Sequence, residues 1–213
     1  MKLSKIENLK NKIQKYEIII FDLDDTIYGQ KHFDTPALKL VAEYLSKILE
    51  LSHSKVFLDI RKLKKLKRGK HPILIFNKYL NKKKINNKNN IIKNSVKIFQ
   101  TYNCKNLKYI PSLKSLIRNL SKNKDLFIVT NGHVARQKRK IKYLGINNYF
   151  KKIFILDGIK KKIKPSTENV NYLVNFIKKR PKKNAVFVGD NKKSDKLFAD
   201  NLKIDFIYFE FPD

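Results

Sequence analysis

The chain has 213 residues, enough for one well-filled core and a modest insertion. Hydrophobic residues make up 42% of it and aromatics 11%, which excludes a chain too polar to bury a core. The formal net charge of +31 suggests anionic partners. Yet only six of the 49 basic residues are arginine (Arg61, Arg68, Arg118, Arg136, Arg139, Arg180), the residue favoured for base-edge readout and bidentate phosphate contacts. A lysine excess spread over the whole chain, beside many Asn and Ile with AT-rich codons, reads as genome composition, so nucleic acid is not the expected partner. A lone Cys104 can form no internal disulfide and fits a reducing compartment. The segment up to Phe21 keeps returning to charged residues and its apolar run stops at Asp22, which is neither signal peptide nor membrane span. The expectation is a soluble cytoplasmic protein with no membrane partner.

In chain order, Ile18–Leu23 is a continuous apolar run, as in a strand buried on both faces. From Phe33 to Lys105 no strand-like run occurs. Thr35 and Pro36 form an N-cap and first turn, followed by Leu38, Val41, Ala42, Leu45, Ile48 and Leu49 on one helix face. A second helix after Ser54 carries Val56, Ile60, Leu63 and Leu66 up to Gly69. Helices near Pro72–Leu80 and Ile91–Tyr102 follow, joined by Asn81–Asn90, whose lysines and asparagines suggest a mobile loop. Apolar runs then recur at Leu126–Val129, Ile153–Leu156, Ala185–Val188 and Ile204–Phe209, each after a stretch with helical spacing. A polar helix over His133–Tyr143 meets a stop at Gly145. A helix over Ser166–Lys179, capped by Ser166, buries Val170, Leu173, Val174 and Ile177 and ends at Pro181. Strands alternating with helices predict an α/β fold: a Rossmann-like parallel sheet flanked by helices, with an all-helical domain inserted after the first strand. The expected division is a core of residues 1–32 and 106–213 and a helical insertion of residues 33–105.

The polar residues at strand ends carry the chemistry. Asp22 and Asp24 are two apart in FDLDDT, and the period of two in extended chain aims both carboxylates one way, with Leu23 and Asp25 elsewhere. Adjacent carboxylates need compensation, which a divalent cation supplies, and oxygen ligands favour Mg2+. The second strand ends VTNG, where the Thr130 hydroxyl and the Asn131 and Gly132 amides form an anion site at a helix start. Lys164 precedes Pro165 and is biased away from helix, free to extend into a site. The fourth strand ends VGD, placing Asp190 on a tight turn with Asp195 five residues on, so a third carboxylate joins the metal. Ligands of open parallel sheets bind beyond the carboxyl ends of the strands, where all of these groups fall.

This series resembles the haloacid dehalogenase (HAD) superfamily. Asp22, Asp24 and Thr26 match its DxDxT motif, Thr130 its second motif, Lys164 its third, and Gly189, Asp190 and Asp195 its GDxxxxD motif. The run TNGHVARQKRKIKYLGINNYF is similar to members with a helical C1-type cap, such as phosphoglycolate phosphatase and the pyrimidine 5'-nucleotidases. The resemblance implies a phosphatase with Asp22 as nucleophile, forming an aspartyl phosphate, and Asp24 as acid then base. It implies that Thr130, Asn131 and Lys164 bind the phosphoryl oxygens. Mg2+ would be held by Asp22, Asp190 and the Asp24 main-chain carbonyl, with Asp195 behind them orienting Lys164 or a metal-bound water. Asp25 is read as structural and His133 as solvent-facing.

Within that superfamily Asp24 favours phosphate chemistry, because halide leaves without a proton. A sugar phosphomutase with the same residues is the nearest alternative, and a non-enzymatic nucleic-acid binder on this fold the alternative from another class. A helical cap confines the substrate to a small phosphorylated metabolite of nucleotide, sugar phosphate or phosphoglycolate type, with Tyr28, Gln30 and Lys31 as candidate contacts.

Overall fold

The computed structural model describes residues 2–66, 71–158, 162–180 and 184–212; Gly69 and Pro181, expected as helix ends, lie outside the described residues. Five parallel strands, β1 (Ile18–Phe21), β2 (Asp125–Asn131), β3 (Lys152–Leu156), β4 (Ala185–Gly189) and β5 (Asp205–Tyr208), form one sheet in the order β3-β2-β1-β4-β5. β1 and β4 are buried at every position, as their unbroken apolar runs require in a sheet covered by helices on both faces. Ile18 pairs with both Asp125 and Ala185, so β1 is the central strand. The chain builds outward from β1 through β2 to β3, then crosses back over β1 to β4 and β5. That reversal places the switch point of the topology at the carboxyl ends of β1 and β4.

The chain divides into two compact units, Met1–Gln30 with Leu107–Asp213, and Lys31–Asn106. In the first, a core of Ile18, Ile20, Phe127, Val129 and Phe187 lines one face of the sheet, with Phe198 packed against it. Helix α1 (Lys2–Ile13) buries Ile6, Leu9 and Ile13, one apolar residue per turn in an otherwise polar run, too sparse a pattern for the sequence reading to have assigned it.

The second unit holds α2 (Lys31–Leu49), α3 (His53–Leu66), α4 (Pro72–Lys82) and α5 (Asn89–Thr101). Here α2 starts before the expected Thr35–Pro36 boundary and Pro36 lies inside it. The buried stripe begins at Phe33, whose ring meets Phe99 and Tyr102 edge-on at 5.5 and 5.4 Å, and that packing holds the turn ahead of the proline. Ile48, expected inside, is 42% exposed, because the stripe ends at Leu45. The Asn81–Asn90 tract is not one long loop. Asn81 ends up in α4 and Asn89 in α5, and left-handed backbone at Lys84 and Asn87 reverses the chain within the short link between them.

Back in the first unit, α6 (Pro111–Leu120) precedes β2 and packs against α1. α7 (Val134–Leu144) ends at Gly145, whose φ of 60° is the left-handed cap that glycine takes without a Cβ penalty. The helix expected from Ser166 begins later. Ser166 Oγ accepts from the Glu168 amide at 3.3 Å, a tight turn over Glu168–Val170 buries Val170, and α8 (Asn171–Lys178) follows. A π-helical turn over Lys192–Lys196 leads into α9 (Leu197–Leu202) and β5. Among the described residues no helix is long and apolar enough to cross a membrane.

Candidate active site

Asp22 follows β1, and its amide extends the ladder by donating to Val188 O at 2.9 Å. The chain then turns: Ile27 N donates to Leu23 O at 3.0 Å, and Asp25 takes a left-handed φ of 59°. Asp25 is the brace of this loop. Its amide donates to Tyr28 O, its carbonyl accepts from Phe211 N at 2.7 Å, and its Oδ1 accepts from Gln30 N at 2.7 Å. The residue read as structural is occupied in shaping the turn that carries its two acidic neighbours.

Lys164 sits on a turn closed by Ser166 N donating to Ile163 O, and its own amide donates to Asn131 Oδ1 at 3.0 Å. Its ammonium, 4% exposed with the rest of the residue, lies 2.7 Å from Asp22 Oδ1 and 2.8 Å from Asp195 Oδ1. Asp195 comes from the π-helical turn, where the Asn191 amide donates to its Oδ2 at 3.1 Å and Ser194 Oγ to its Oδ1 at 3.1 Å. Gly189 makes room for it: a Cβ there would lie 2.4 Å from Asp195 Oδ2 and 2.9 Å from Asp195 Cβ. One carboxylate oxygen each of Asp22, Asp190 and Asp195 lies within 4.8 Å of the other two. Lys164 neutralises at most one of those charges, and an all-oxygen donor set with surplus negative charge suits a hard divalent cation. Asp195, expected behind the metal ligands to orient Lys164 or a metal-bound water, holds the Lys164 ammonium from the π-helical turn and has a carboxylate oxygen in the same cluster.

Asp24 departs from the expectation that a cation compensates the acidic pair. β1 stops at Phe21, and beyond it the Asp24 carboxylate is held by side chains of its own. Lys140 Nζ donates to its Oδ1 at 2.6 Å, the Tyr28 hydroxyl donates to the same oxygen, and Gln137 Nε2 donates to Oδ2 at 3.0 Å. The two acids therefore titrate in opposite directions. Burial pushes the Asp22 carboxyl up to about 7, with Lys164 opposing the rise and the charges of Asp195 and Asp24 adding to it. Burial also acts to raise Asp24, but the Lys140 ammonium, Tyr28 and Arg136 outweigh it and hold the carboxyl at about 2. For Lys164, burial lowers the ammonium, and the surrounding Asp22 and Asp195 charges more than reverse this, so its pKa is raised.

Thr130 ends up 1% exposed at the end of β2, with Oγ1 accepting from Gln137 Nε2 at 2.8 Å. The Gly132 amide is not available to an anion: it donates to Leu156 O at 2.9 Å, prolonging the β2–β3 ladder past Asn131, and α7 begins two residues later. Of the residues proposed for metal and phosphate, Asp22, Lys164, Asp190 and Asp195 converge. Gln137 and Lys140 escaped the sequence reading. A signal was available, since both fall on the α7 face that buries Ile141 and Leu144, where a glutamine and a lysine need polar partners.

Comparison with known proteins agrees with this fold. No curated protein sequence matches the chain significantly. Among solved structures, YfnB of Bacillus subtilis, assigned as a HAD-hydrolase and solved bound to magnesium, is 20% identical over 92% of this chain and 87% of that one, with a TM-score of 0.65. A HAD phosphatase of Thermococcus onnurineus is 20% identical over 91% of this chain and 86% of the other (TM-score 0.62). A 2-haloacid dehalogenase of Pseudomonas syringae is 19% identical over 91% and 86% (TM-score 0.61). At these identities the likeness speaks for the fold, and it spans enzymes of two chemistries. The family model of haloacid dehalogenase-like hydrolases matches residues 19–209, nearly the whole sheet with its insertion, and the chain belongs to that family of hydrolases.

Proposed function

We infer that this hydrolase is a Mg2+-dependent phosphatase of a small phosphomonoester, working through a phosphorylated Asp22. The observation that carries the reading is the buried ammonium of Lys164 shared by Asp22 and Asp195, with the Asp190 carboxylate in the same cluster. Asp22 would attack phosphorus in line, breaking the bond to the leaving oxygen and forming an aspartyl phosphate. Lys164 and the Thr130 hydroxyl would hold the phosphoryl oxygens, and donors fixed in advance are what stabilise the transition state. The Asp22 and Asp190 carboxylates and the Asp24 carbonyl would hold Mg2+, which when bound offsets the negative charge brought together by substrate and acids. Asp24, kept ionised by Lys140, suits the second half-reaction, in which it takes the proton of the attacking water.

Asp24 also favours phosphate over halide as the leaving chemistry, since a departing halide needs no acid–base partner. The unit Lys31–Asn106 would serve as the cap that admits a phosphorylated metabolite and excludes bulk water. The test is phosphate release from a panel of nucleotides, sugar phosphates and phosphoglycolate with and without Mg2+, with Asp22→Asn as the blank. Mg2+-dependent release that vanishes in the variant supports the reading; release that survives Asp22→Asn refutes it.

A further inference from the structure

The Asp24 carboxylate accepts hydrogen bonds from three side chains at once. Lys140 Nζ and the Tyr28 hydroxyl donate to Oδ1, the first at 2.6 Å, and Gln137 Nε2 donates to Oδ2 at 3.0 Å. Lys140 is 1% exposed and Gln137 fully buried, yet neither corresponds to a residue of the four motifs. An ammonium taken out of water without a partner is strongly unfavourable, so Lys140 and Asp24 hold each other in place.

Gln137 adds a second tie. Its Nε2 also lies 2.8 Å from Thr130 Oγ1 and 3.3 Å from Asn131 O. Three acceptors converge on one amide nitrogen, so only the amide orientation that presents its two hydrogens satisfies them. The Thr130 hydroxyl thereby acts as acceptor towards Gln137, and its own proton is directed elsewhere, to be given to an incoming acceptor such as a phosphoryl oxygen. Gln137 and Lys140 stand three residues apart on α7, which places them on one helix face. A single helix thus fixes the relation between a carboxylate on the β1 loop and a hydroxyl at the end of β2.

We propose that Lys140 and Gln137 are positioning residues of the active site: Lys140, with Tyr28, sets the place of the Asp24 carboxylate, and Gln137 ties it to Thr130. The proposal rests on the phosphatase reading. In the first half-reaction the proton of the monoanionic ester passes by way of the Asp24 carboxylate to the leaving oxygen as its bond to phosphorus breaks and the bond from Asp22 forms. In the second, water oxygen bonds to phosphorus, the bond to Asp22 breaks, and the water proton passes to Asp24. Both transfers need the carboxylate in one place, and a displacement of about 1 Å at such a group can lower the rate by about a hundredfold.

The experiment compares wild type, Lys140→Met, Lys140→Arg and Gln137→Met on an alkyl phosphomonoester and on p-nitrophenyl phosphate, with thermal melts to give the folded fraction. Per folded molecule, Lys140→Met is expected to lose about ten- to a hundredfold in kcat on the alkyl ester at nearly constant KM. The pre-steady-state burst of nitrophenolate should fall far less, because that group leaves without a proton. Lys140→Arg, which still donates to the carboxylate, should recover part of the loss. A folded Lys140→Met with wild-type kcat on both esters overturns the proposal, as does an equal fall in alkyl turnover and nitrophenolate burst, the mark of a merely structural role. Should Lys140→Met not fold, Gln137→Met decides: a drop in kcat with the Asp24–Lys140 pair intact supports the proposal, and wild-type kinetics overturn it. A wild type that releases no phosphate from any ester sinks the phosphatase reading and the proposal together, whereas an active wild type with unaltered variants sinks the positioning alone.

Discussion

Gly189→Ala tests the packing that holds the carboxylate cluster together. Gly189 does not occupy left-handed backbone, so alanine meets no conformational strain there. The obstacle is steric, for the new methyl carbon would lie 2.4 Å from Asp195 Oδ2, 2.8 Å from its Cγ and 2.9 Å from its Cβ. Asp195 cannot simply swing aside, because Lys164 at 2.8 Å and the Asn191 amide at 3.1 Å hold both of its oxygens. Overpacking of a filled site costs about 1–3 kcal/mol, and loosening a buried ion pair adds to it, so a total of about 3 kcal/mol is expected. For a chain of this length that corresponds to a fall in melting temperature of roughly 6–12 °C. Calorimetry of a two-by-two cycle with Asp195→Ala isolates the cause. With Asp195 already truncated the carboxylate is gone and only the 2.9 Å approach to its Cβ remains, so adding Gly189→Ala should cost clearly less, about 1 kcal/mol. An equal loss in both backgrounds, or a single variant that melts with the wild type, refutes the reasoning.

Mg2+ at a hundred times its dissociation constant should stabilise wild type by about 2.7 kcal/mol, and Asp190→Asn should abolish most of the shift in thermal melts; an unchanged shift places the ion elsewhere. Phe33→Ala removes the ring that meets Phe99 and Tyr102 and should cost about 3–5 kcal/mol in denaturant unfolding, with a value under about 1 kcal/mol excluding that cluster as the anchor of α2. Asp125 pairs with Lys151 at 2.8 Å and Arg180 at 2.6 Å; burial pushes its carboxyl up, and these two cations outweigh that and hold it below the usual value. The folded form thus binds the proton more weakly than the unfolded chain, so the pair stabilises above the ordinary carboxylate pKa and the benefit is lost as pH falls through the depressed one. Since both cations are partly exposed, Asp125→Asn should cost only about 0.5–1 kcal/mol at pH 7, with the gap to wild type closing below about pH 4; a gap that widens in acid contradicts this sign.

Much of the fold was legible because it is written in local pattern. A strand buried on both faces demands an unbroken apolar run, and Ile18–Phe21 and Ala185–Gly189 supply it. A helix stop demands a residue at ease with positive φ, and Gly145 supplies that. The chemistry-bearing residues could be picked out for a related reason: parallel strands all discharge at one edge, so polar residues that follow apolar runs fall together whatever the strand order. Pairing is another matter, since it depends on contacts between distant parts of the chain. That Asp24 answers to Lys140 and Gln137, that the Gly132 amide is taken by Leu156, and that α2 starts early to bury Phe33 against Phe99 are decided only when the sheet and helices pack. No spacing rule links position 24 to position 140. The sequence determined which groups sit at the strand ends; the tertiary structure decided which charge each of them faces, because a buried ion pair is a property of two surfaces brought together rather than of either segment.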